Sequence, residues 1–450
     1  MATETYPSYT SDRRPVEQSR LFLVLGILIT VSVIPLAMLA ALKPVAALLL
    51  FVGLAALAIS AVHVQFAVLV LVASVPLEGA ILINGSQTLT TTKLAGGLCF
   101  VSFMLYALTS RRRLLFDQSH VIVLGILALA IFSTLQAEEI PAAIAVTLRY
   151  LAFVALYFVA SQFVADQPFQ RRLAWVLAGA ASLASVLSLY NFVHGSTPLA
   201  TLKFADPNDL AYVIATSLPL TFWLLRERWA LRPIVFAMIA ITSTTLLLTL
   251  SRGALVGVGA AVVWLLLTDR RAWKILLIGG LLVGIGLAYV VNQDPSRVQT
   301  SFQAKKKVAS YNVSTRLDAW NAAINLASAH PFLGVGPGNF KFKYPEVSDR
   351  PPGSFDVGVV HNTYLDLAAE LGIGGMLLFF AYFAIVFARS TVAVRHGNGL
   401  PGYATAIRTS LVIAAVAGLF LSEQYYAPFW LFGGLATALW REGKLLDPTR

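Results

Sequence analysis

The stretch STRLDAWNAAINLASAHPFLGVGPG, residues 314–338, decides the fold because it lies in a long polar segment between apolar runs. The segment extends over residues 293–360, and HNTY at 361–364 leads into the next apolar run. Connections longer than about 15 residues are usually functional or disordered. This one carries several aromatic residues, Trp320 and Tyr344 among them, which favours order. The sequence therefore predicts one large, ordered loop beside a set of apolar segments.

The first half of the quoted stretch predicts a helix over residues 315–328. Ser314 or Thr315 is a candidate N-cap for it, and Pro331 follows its end. The apolar residues that recur at helical spacing are Leu317, Trp320, Ile324 and Ala327. The helix therefore has an apolar face, which suits packing or a position at the membrane surface.

The second half of the stretch and the residues after it carry signals for a turn, a cap and a bend. The glycines at 334–338 lack the preceding strand and the lysine of a nucleotide-binding loop, so they predict a turn. Asn362 is a candidate N-cap for the next helix, with Asp366 in the first turn. Gly372 and the glycines at 374–375 predict a bend or close helix packing.

The composition excludes a soluble protein. Of 450 residues, 58% are hydrophobic and only 12% are charged, whereas soluble domains carry about 25% charged residues. No apolar run with a cleavage site follows the polar start at 1–20, so we expect no removable signal peptide. Cys99 is the single cysteine, which excludes an intramolecular disulfide and predicts a buried, inert thiol.

Fourteen apolar stretches are candidates for membrane spans, beginning with residues 21–40, 44–61 and 64–82. Several are short, so two could be re-entrant or interfacial and twelve spans is the alternative. Basic residues cluster in the loops that alternation places on the N-terminal side, and they explain most of the net charge of +11. These are Arg13, Arg14, Arg20, Arg111–Arg113, Arg171, Arg172, Arg226, Arg228, Arg232, Arg270, Arg271, Lys274, Arg389, Arg395, Arg441 and Lys444. The distribution places the N-terminus in the cytoplasm and the long loop outside.

A few basic residues nevertheless fall on the outer side, where the charge rule disfavours them. Arg252 lies in a tight turn, Arg316 in the loop helix and Lys203 just before a span, while Arg149 lies within the sixth span. An arginine inside the membrane is a functional-site hypothesis by default. The alternatives are a snorkelling Arg252 and a surface pair between Arg316 and Asp318.

The outer side also carries His361, a residue type that near neutral pH can accept a proton from a hydroxyl. Taken alone, a histidine is more often structural. Arginines present forks of donors suited to phosphate oxygens. Cations and one base on the same side therefore suit a reaction in which a diphosphate leaves and a sugar hydroxyl attacks.

The sequence contains no evident metal site. There is no Asp-x-Asp beside an outer loop and no paired-histidine motif, and the candidate acids Asp206, Asp209, Asp366 and Glu370 are scattered. Asp366 and Glu370 share one side of a helix, so a cation-binding site at these two residues stays an open alternative.

Taken together, these motifs resemble the O-antigen ligase and polymerase family. The resemblance rests on four short motifs and their order around one long external loop, over roughly residues 250–388. They are Ser251-Arg252-Gly253, Ser314-Thr315-Arg316 with Trp320, His330-Pro331 with Leu333-Gly334-Val335-Gly336, and His361-Asn362-Thr363-Tyr364-Leu365 with Glu370-Leu371-Gly372-Ile373-Gly374-Gly375.

The resemblance implies a polytopic bacterial inner-membrane glycosyltransferase with a periplasmic active site. Family members take a glycan from undecaprenyl diphosphate and join it to another glycan, to lipid A core or sometimes to a protein, without metal or cofactor. By resemblance, Arg252 and Arg316 hold the diphosphate, His361 activates the acceptor hydroxyl, and a single displacement inverts the anomeric carbon. Lys203 and Arg149 are further candidates for diphosphate binding. Ligases usually have twelve spans, so the count of about fourteen leaves ligase and polymerase both open.

The expected fold is an all-α polytopic membrane protein of about 12 to 14 transmembrane helices with one long, partly helical periplasmic loop. We expect a cytoplasmic tail at 1–20, a transmembrane bundle at 21–292, the periplasmic loop at 293–361 and C-terminal transmembrane helices at 362–450. The alternative function is a lipid-linked oligosaccharide flippase or another polytopic transporter. A transporter should show repeated halves and charges along its path, whereas here the polar residues concentrate in external loops.

Overall fold

The computed structural model describes residue 59 and residues 63–80, 90–109, 114–163, 167–226, 229–268, 272–348 and 358–446. The expected tail at 1–20 and the expected span at 21–40 lie outside the described residues, as does nearly all of the span at 44–61. Within the described ranges the regular structure is helical and no strand occurs.

The helices follow one another with short connections, apart from the long loop between α9 and α12. In chain order they are α1 (Val64–Ser74), α2 (Thr91–Thr109), α3 (Gln118–Leu135), α4 (Ile140–Phe163), α5 (Gln167–Val193), α6 (Pro207–Trp223), α7 (Arg232–Leu248), α8 (Arg252–Thr268), α9 (Ala272–Gln293), α10 (Pro295–Ala329), α11 (Phe340–Val347), α12 (Thr363–His396), α13 (Tyr403–Ala417) and α14 (Ala427–Leu446).

Many of these helices are apolar enough to lie in a bilayer. Six segments of the described residues have the length and apolarity to cross it, namely Thr91–Leu108, Gln118–Leu135, Ile140–Gln162, Gln167–Val193, Trp229–Leu248 and Thr363–His396. Shorter apolar helices are Val64–Ser74, Arg252–Thr268, Gly279–Gln293 and Tyr403–Ala417. The chain is a multi-pass, all-helical membrane protein, and the count of 12 to 14 spans stays a prediction.

Helices α6 and α12 begin at side-chain caps, and the sequence predicted the one at Asn362. The Asn362 side chain accepts hydrogen bonds from the backbone N–H groups of Tyr364 and Leu365 at 3.0 and 3.1 Å, which confirms the expected cap of α12. The Asp206 carboxylate accepts from the Asn208 N–H at 2.6 Å and starts α6.

The expected cap at Ser314 or Thr315 is wrong, because both residues lie inside α10, which starts at Pro295. The helix predicted over 315–328 is therefore the C-terminal part of a longer one. The cap signal failed because Ser and Thr are also tolerated inside helices, where their side chains face outward or bond the preceding turn.

The loops gather at the two ends of the bundle. At one end, the Phe204 N–H donates to the Gly79 carbonyl, the Ala200 N–H donates to the Leu248 carbonyl and the His361 N–H donates to the Ser422 hydroxyl. We call this the loop end; it comprises residues 75–80, 136–139, 194–206, 249–252, 330–348, 358–362 and 418–426. At the opposite end, the Trp223 indole donates to the Pro401 carbonyl at 3.0 Å. The loops that the arginine distribution groups on one side thus meet in space.

The long loop has a small apolar core of its own. The C-terminal half of α10 buries Ala319, Ala322, Ala323 and Leu326 against Val335, Phe340, Tyr344, Val360 and Ala369, and Trp320 packs beside them. Burial of aliphatic and aromatic groups is what fixes such a segment. The described part of the loop is therefore ordered against the start of α12, as its aromatic content predicts.

The predicted bend in α12 occurs at Gly372, whose φ and ψ are 76° and 173°. The bend leaves some backbone groups of α12 without their helical hydrogen-bond partners, and buried groups of this kind need other partners. The turn at 331–336 satisfies them, because the N–H groups of Val335 and Gly336 donate to the carbonyls of Ala369 and Glu370 at 2.9 and 3.1 Å. A Cβ on Gly372 would lie 2.6 Å from the Phe332 backbone, so only glycine allows this docking.

Candidate active site at the loop end

Arg252 is presented by a strained turn. Leu250 has a φ of 53°, a conformation that costs an ordinary L-residue energy and redirects the chain between α7 and α8. Ser251 is buried and its N–H donates to the Thr249 hydroxyl at 3.2 Å. Arg252 is then the first residue of α8, and its side chain is exposed at the loop end.

Arg316 lies in the second half of α10 and is partly buried. Burial lowers the pKa of its guanidinium, the positive charge of Arg252 lowers it further, and the carboxylate of Asp206 acts in the opposite direction. The two arginines are thus close enough to repel each other. The structure brings together side chains 64 positions apart in the sequence.

His361 sits beside this pair, immediately before the cap of α12. Its φ is 56°, so it is a second strained residue at the loop end. Its N–H donates to the Ser422 hydroxyl at 3.0 Å, which fixes the backbone. Burial and then the charge of Arg316 lower the pKa of the imidazole to about 4, with Asp206 opposing the shift. The ring is therefore neutral at neutral pH.

Arg252 and Arg316 have no ion pair with any residue that the structure describes. Two like charges held together without a partner destabilise the protein unless an anion joins them. A guanidinium presents its donors in a planar fork that matches phosphate oxygens. The pair is therefore chemically suited to an anion with several oxygens.

The two weaker candidates have different surroundings. Lys203 is exposed, with its ammonium 5.4 Å from the centre of the Phe204 ring, on the loop that leads to Asp206. Arg149 is paired with Glu78 at 2.9 Å, and its guanidinium lies 5.5 Å from the centre of the Tyr426 ring. Its charge is already compensated, unlike those of Arg252 and Arg316.

A cavity of about 260 Å³ is lined by both Arg149 and Asp206. Its polar lining includes Glu78, Arg149, Asp206 and Asp209, and the Tyr426 hydroxyl donates to Asp209. Because Asp206 acts electrostatically on both Arg316 and His361, this cavity lies beside the cluster of Arg252, Arg316 and His361.

Sequence reasoning did not identify Glu78, Tyr426 or the role of Asp206 as the shared counter-charge. Glu78 lies in an apolar stretch predicted to span the membrane, and an acidic residue there is itself a functional hypothesis. That signal was available. Tyr426 and Asp206 carry no such signal, because their role depends on the packing of distant loops.

Metal ligands are sparse in the described part of the chain, where no group of three or more His, Cys, Asp or Glu side chains lies together. Asp366 and Glu370 would offer two carboxylates at most. Stable binding sites for hard cations usually have more oxygen ligands from the protein.

Two comparisons with known proteins bear on this site. The family model described as O-antigen ligase matches residues 236–380, a segment that contains Arg252, Arg316 and His361. An O-antigen ligase of Pseudomonas aeruginosa is 26% identical over 315 residues, which covers 67% of this chain and 73% of that protein. The matched segment also includes the turn, the cap and the bend that build the loop end. Together these findings show that the chain is similar to the O-antigen ligase family over the segment that carries the candidate site.

Proposed function

We propose that the protein transfers a glycan from undecaprenyl diphosphate to a sugar hydroxyl of an acceptor, at the periplasmic face, during assembly of a surface polysaccharide. The observation that carries the proposal is the loop-end cluster, in which two arginines without an ion-pair partner among the described residues lie beside a neutral histidine. The relative from Pseudomonas aeruginosa is named an O-antigen ligase, which supports the same class of reaction.

The arginines supply binding and charge stabilisation. Arg252 and Arg316 bind the diphosphate oxygens, and they stabilise the negative charge that grows on the leaving diphosphate as the anomeric C–O bond breaks. Donors that are already oriented reorganise little during the reaction, so their contribution is realised in the transition state.

His361 is the general base of the proposed reaction. A ring nitrogen of His361 accepts the proton of the acceptor hydroxyl while its oxygen forms the new bond to the anomeric carbon. The bond from that carbon to the diphosphate oxygen breaks in the same step, so the reaction is a single displacement with inversion, and it needs no metal. A bound diphosphate offsets the charge of Arg316, which raises the basicity of His361 when the donor is in place.

The setting follows from the topology. The arginine-rich loops favour a cytoplasmic N-terminus in the bacterial inner membrane and a periplasmic loop end. The proposed division is a tail at 1–20, a bundle at 21–292, the loop at 293–361 and the C-terminal helices at 362–450. Lys203 and Arg149 would then assist the diphosphate from the edge of the site.

The proposal has two versions, which differ in the acceptor. A ligase joins the glycan to lipid A core, and a polymerase joins it to another lipid-linked glycan. The transporter alternative is not favoured by the family match, or by the concentration of site residues in loops at one end.

The test is a transfer assay with purified protein in lipid, glycan-linked undecaprenyl diphosphate and a chelator, with and without lipid A core acceptor. A ladder from donor alone identifies a polymerase, and a single shift that requires the core identifies a ligase. Arg252→Ala, Arg316→Ala and His361→Ala should each lose transfer at unchanged protein level, with Arg226→Ala at the opposite end as the matched control. Transfer retained in Arg316→Ala and His361→Ala would remove the mechanism. Movement of donor across vesicles without transfer would support a flippase.

A further inference from the structure

A second cavity at the loop end, of about 290 Å³, lies on the other side of Arg149. Its polar lining combines three cations, Lys93, Arg149 and Lys341, with two acids, Asp366 and Glu370. Tyr425 and Phe340 add aromatic rings. The mechanism proposed above uses neither of the two acids.

The two acids are deeply buried and incompletely bonded. Asp366 and Glu370 are 1% and 3% exposed. One Glu370 oxygen accepts from the Phe340 N–H at 3.4 Å. The other oxygen, Oε2, and the Oδ1 atom of Asp366 have no hydrogen-bond partner among the described residues. A buried polar atom left without a partner costs about 1–3 kcal/mol, so the folded protein retains this cost unless a ligand removes it.

The signs of the lining charges restrict the ligand. A phosphate would face Asp366 and Glu370, and a metal ion would face three cations with only two carboxylates to hold it. A neutral molecule that both donates and accepts hydrogen bonds satisfies both sets of groups. Sugar hydroxyls do this, and the apolar face of a sugar ring can cover Tyr425, which is only partly buried.

The volume and position agree with a small polyhydroxyl ligand. About 290 Å³ lies at the lower end of the range for small-molecule pockets, which suits one sugar ring. Arg149 lines this cavity and also the one that contains Asp206, and the charge of Asp206 acts on Arg316 and His361. Arg149 and Asp206 therefore link this cavity to the cluster where transfer is proposed.

We propose that this cavity, which we call the sugar cavity, binds one sugar ring of a glycan substrate, with the free oxygens of Asp366 and Glu370 accepting hydrogen bonds from its hydroxyls. The inference rests on the proposed glycosyl transfer and names a specificity site for it. The ring comes from the donor glycan or from the acceptor glycan, and the experiment distinguishes these sources.

The experiment measures binding without turnover, by saturation-transfer NMR on full-length protein in nanodiscs. The probes are the glycan released by mild acid from lipid-linked donor and the oligosaccharide released from lipopolysaccharide core. Asp366→Asn and Glu370→Gln change the acids, Ala145→Leu fills the cavity without a change of charge, and Glu346→Gln is the exposed control. His361→Ala separates binding from chemistry.

One probe should bind wild type and His361→Ala equally, and about tenfold more weakly to the three cavity variants, because each loses a carboxyl hydrogen-bonding group or the space for the ring. Binding of the lipid-derived glycan assigns the cavity to the donor, and binding of core oligosaccharide assigns it to the acceptor. Binding of neither probe to wild type, or unchanged binding in Ala145→Leu, overturns the inference. If an acid variant does not fold, Ala145→Leu decides alone. Transfer without sugar-cavity binding would leave the proposed function intact.

Discussion

Arginines lie at both ends of the bundle, but their surroundings differ. At the opposite end, Arg389 and Arg441 bind the two carboxylate oxygens of Asp117 at 3.1 and 2.6 Å, and Arg389 also donates to the Ser119 hydroxyl. Burial disfavours the charged form of Asp117, but hydrogen bonds from His120 and Ser119 and the two arginines outweigh it and hold its pKa well below the usual range. Arg389 and Arg441 thus each have a carboxylate partner from the protein.

At the loop end, the charge of Arg252 acts on Arg316, and neither arginine has an ion pair with a described residue. The carboxylate of Asp206 opposes the effect of Arg252 on Arg316, and it also caps α6. The difference separates arginines that are paired with an acid of the protein from arginines that have no such pair among the described residues. An arginine with a complete set of protein acceptors has little left to offer to a substrate, whereas one kept beside a like charge does.

The largest expected effect is on catalysis by the loop-end arginines. Arg316→Ala should lower kcat/KM about 10²–10³-fold, the loss typical of a donor that stabilises a leaving oxyanion. The melting temperature should stay level or rise, because the repulsion from Arg252 is gone. Steady-state transfer and thermal unfolding in the same lipid check both parts. Activity within threefold of wild type would place Arg316 among the structural arginines.

The reverse pattern is expected at the opposite end. Asp117→Ala leaves Arg389 and Arg441 without a carboxylate, and removal of one partner from a buried ion network costs about 3 kcal/mol or more. The variant should unfold at a lower temperature, measured in detergent against Asp206→Asn, which retains a capping side chain. A wild-type melting temperature for Asp117→Ala would show that this network does not hold the helices.

The pH dependence of transfer should report the protonation of His361. Transfer requires neutral His361, so activity falls as pH drops through its pKa. Because burial and Arg316 lower that pKa to about 4, the acid limb of kcat/KM should lie well below the value of about 6.5 for an ordinary histidine. A pH–rate profile measures this limb. A midpoint near 6.5 would mean that neither burial nor Arg316 lowers the pKa of His361 in the free protein.

The smallest effect is expected for Lys203→Ala. The ammonium is exposed, and charges in solvent contribute little. The KM for the donor should rise by less than about threefold, and less still at high salt, where screening weakens exposed charges. A loss of kcat/KM as large as that expected for Arg316→Ala would indicate that Lys203 binds the diphosphate directly.

Much of the loop end was predictable because its signals are local. The cap at Asn362, the turn at 334–338 and the bend at Gly372 each depend on residues a few positions apart. The start of α10 at Pro295 was not predictable, because the polar run Gln-Ala-Lys-Lys-Lys at 303–307 interrupts any apolar face. A helix without a clear stripe leaves only weak propensity as a signal.

The sequence predicted individual residues of the candidate site but not that they lie together. The sequence marks Arg252, Arg316 and His361 singly as unusual on the outer side, but their proximity comes from docking of α10 onto α12. The lining of the sugar cavity was likewise only partly predictable from the sequence. Asp366 and Glu370 share a helix face by spacing, whereas Arg149 and Lys341 reach it from distant parts of the chain.

The most direct test of the central claim is whether a diphosphate lipid binds the loop-end arginines. Thermal unfolding of the purified protein in nanodiscs would be followed with increasing undecaprenyl diphosphate, since a ligand of the native state raises the melting temperature. The account predicts a concentration-dependent rise in wild type, His361→Ala and Arg226→Ala, and no rise in Arg252→Ala or Arg316→Ala. An equal rise in Arg316→Ala would contradict it.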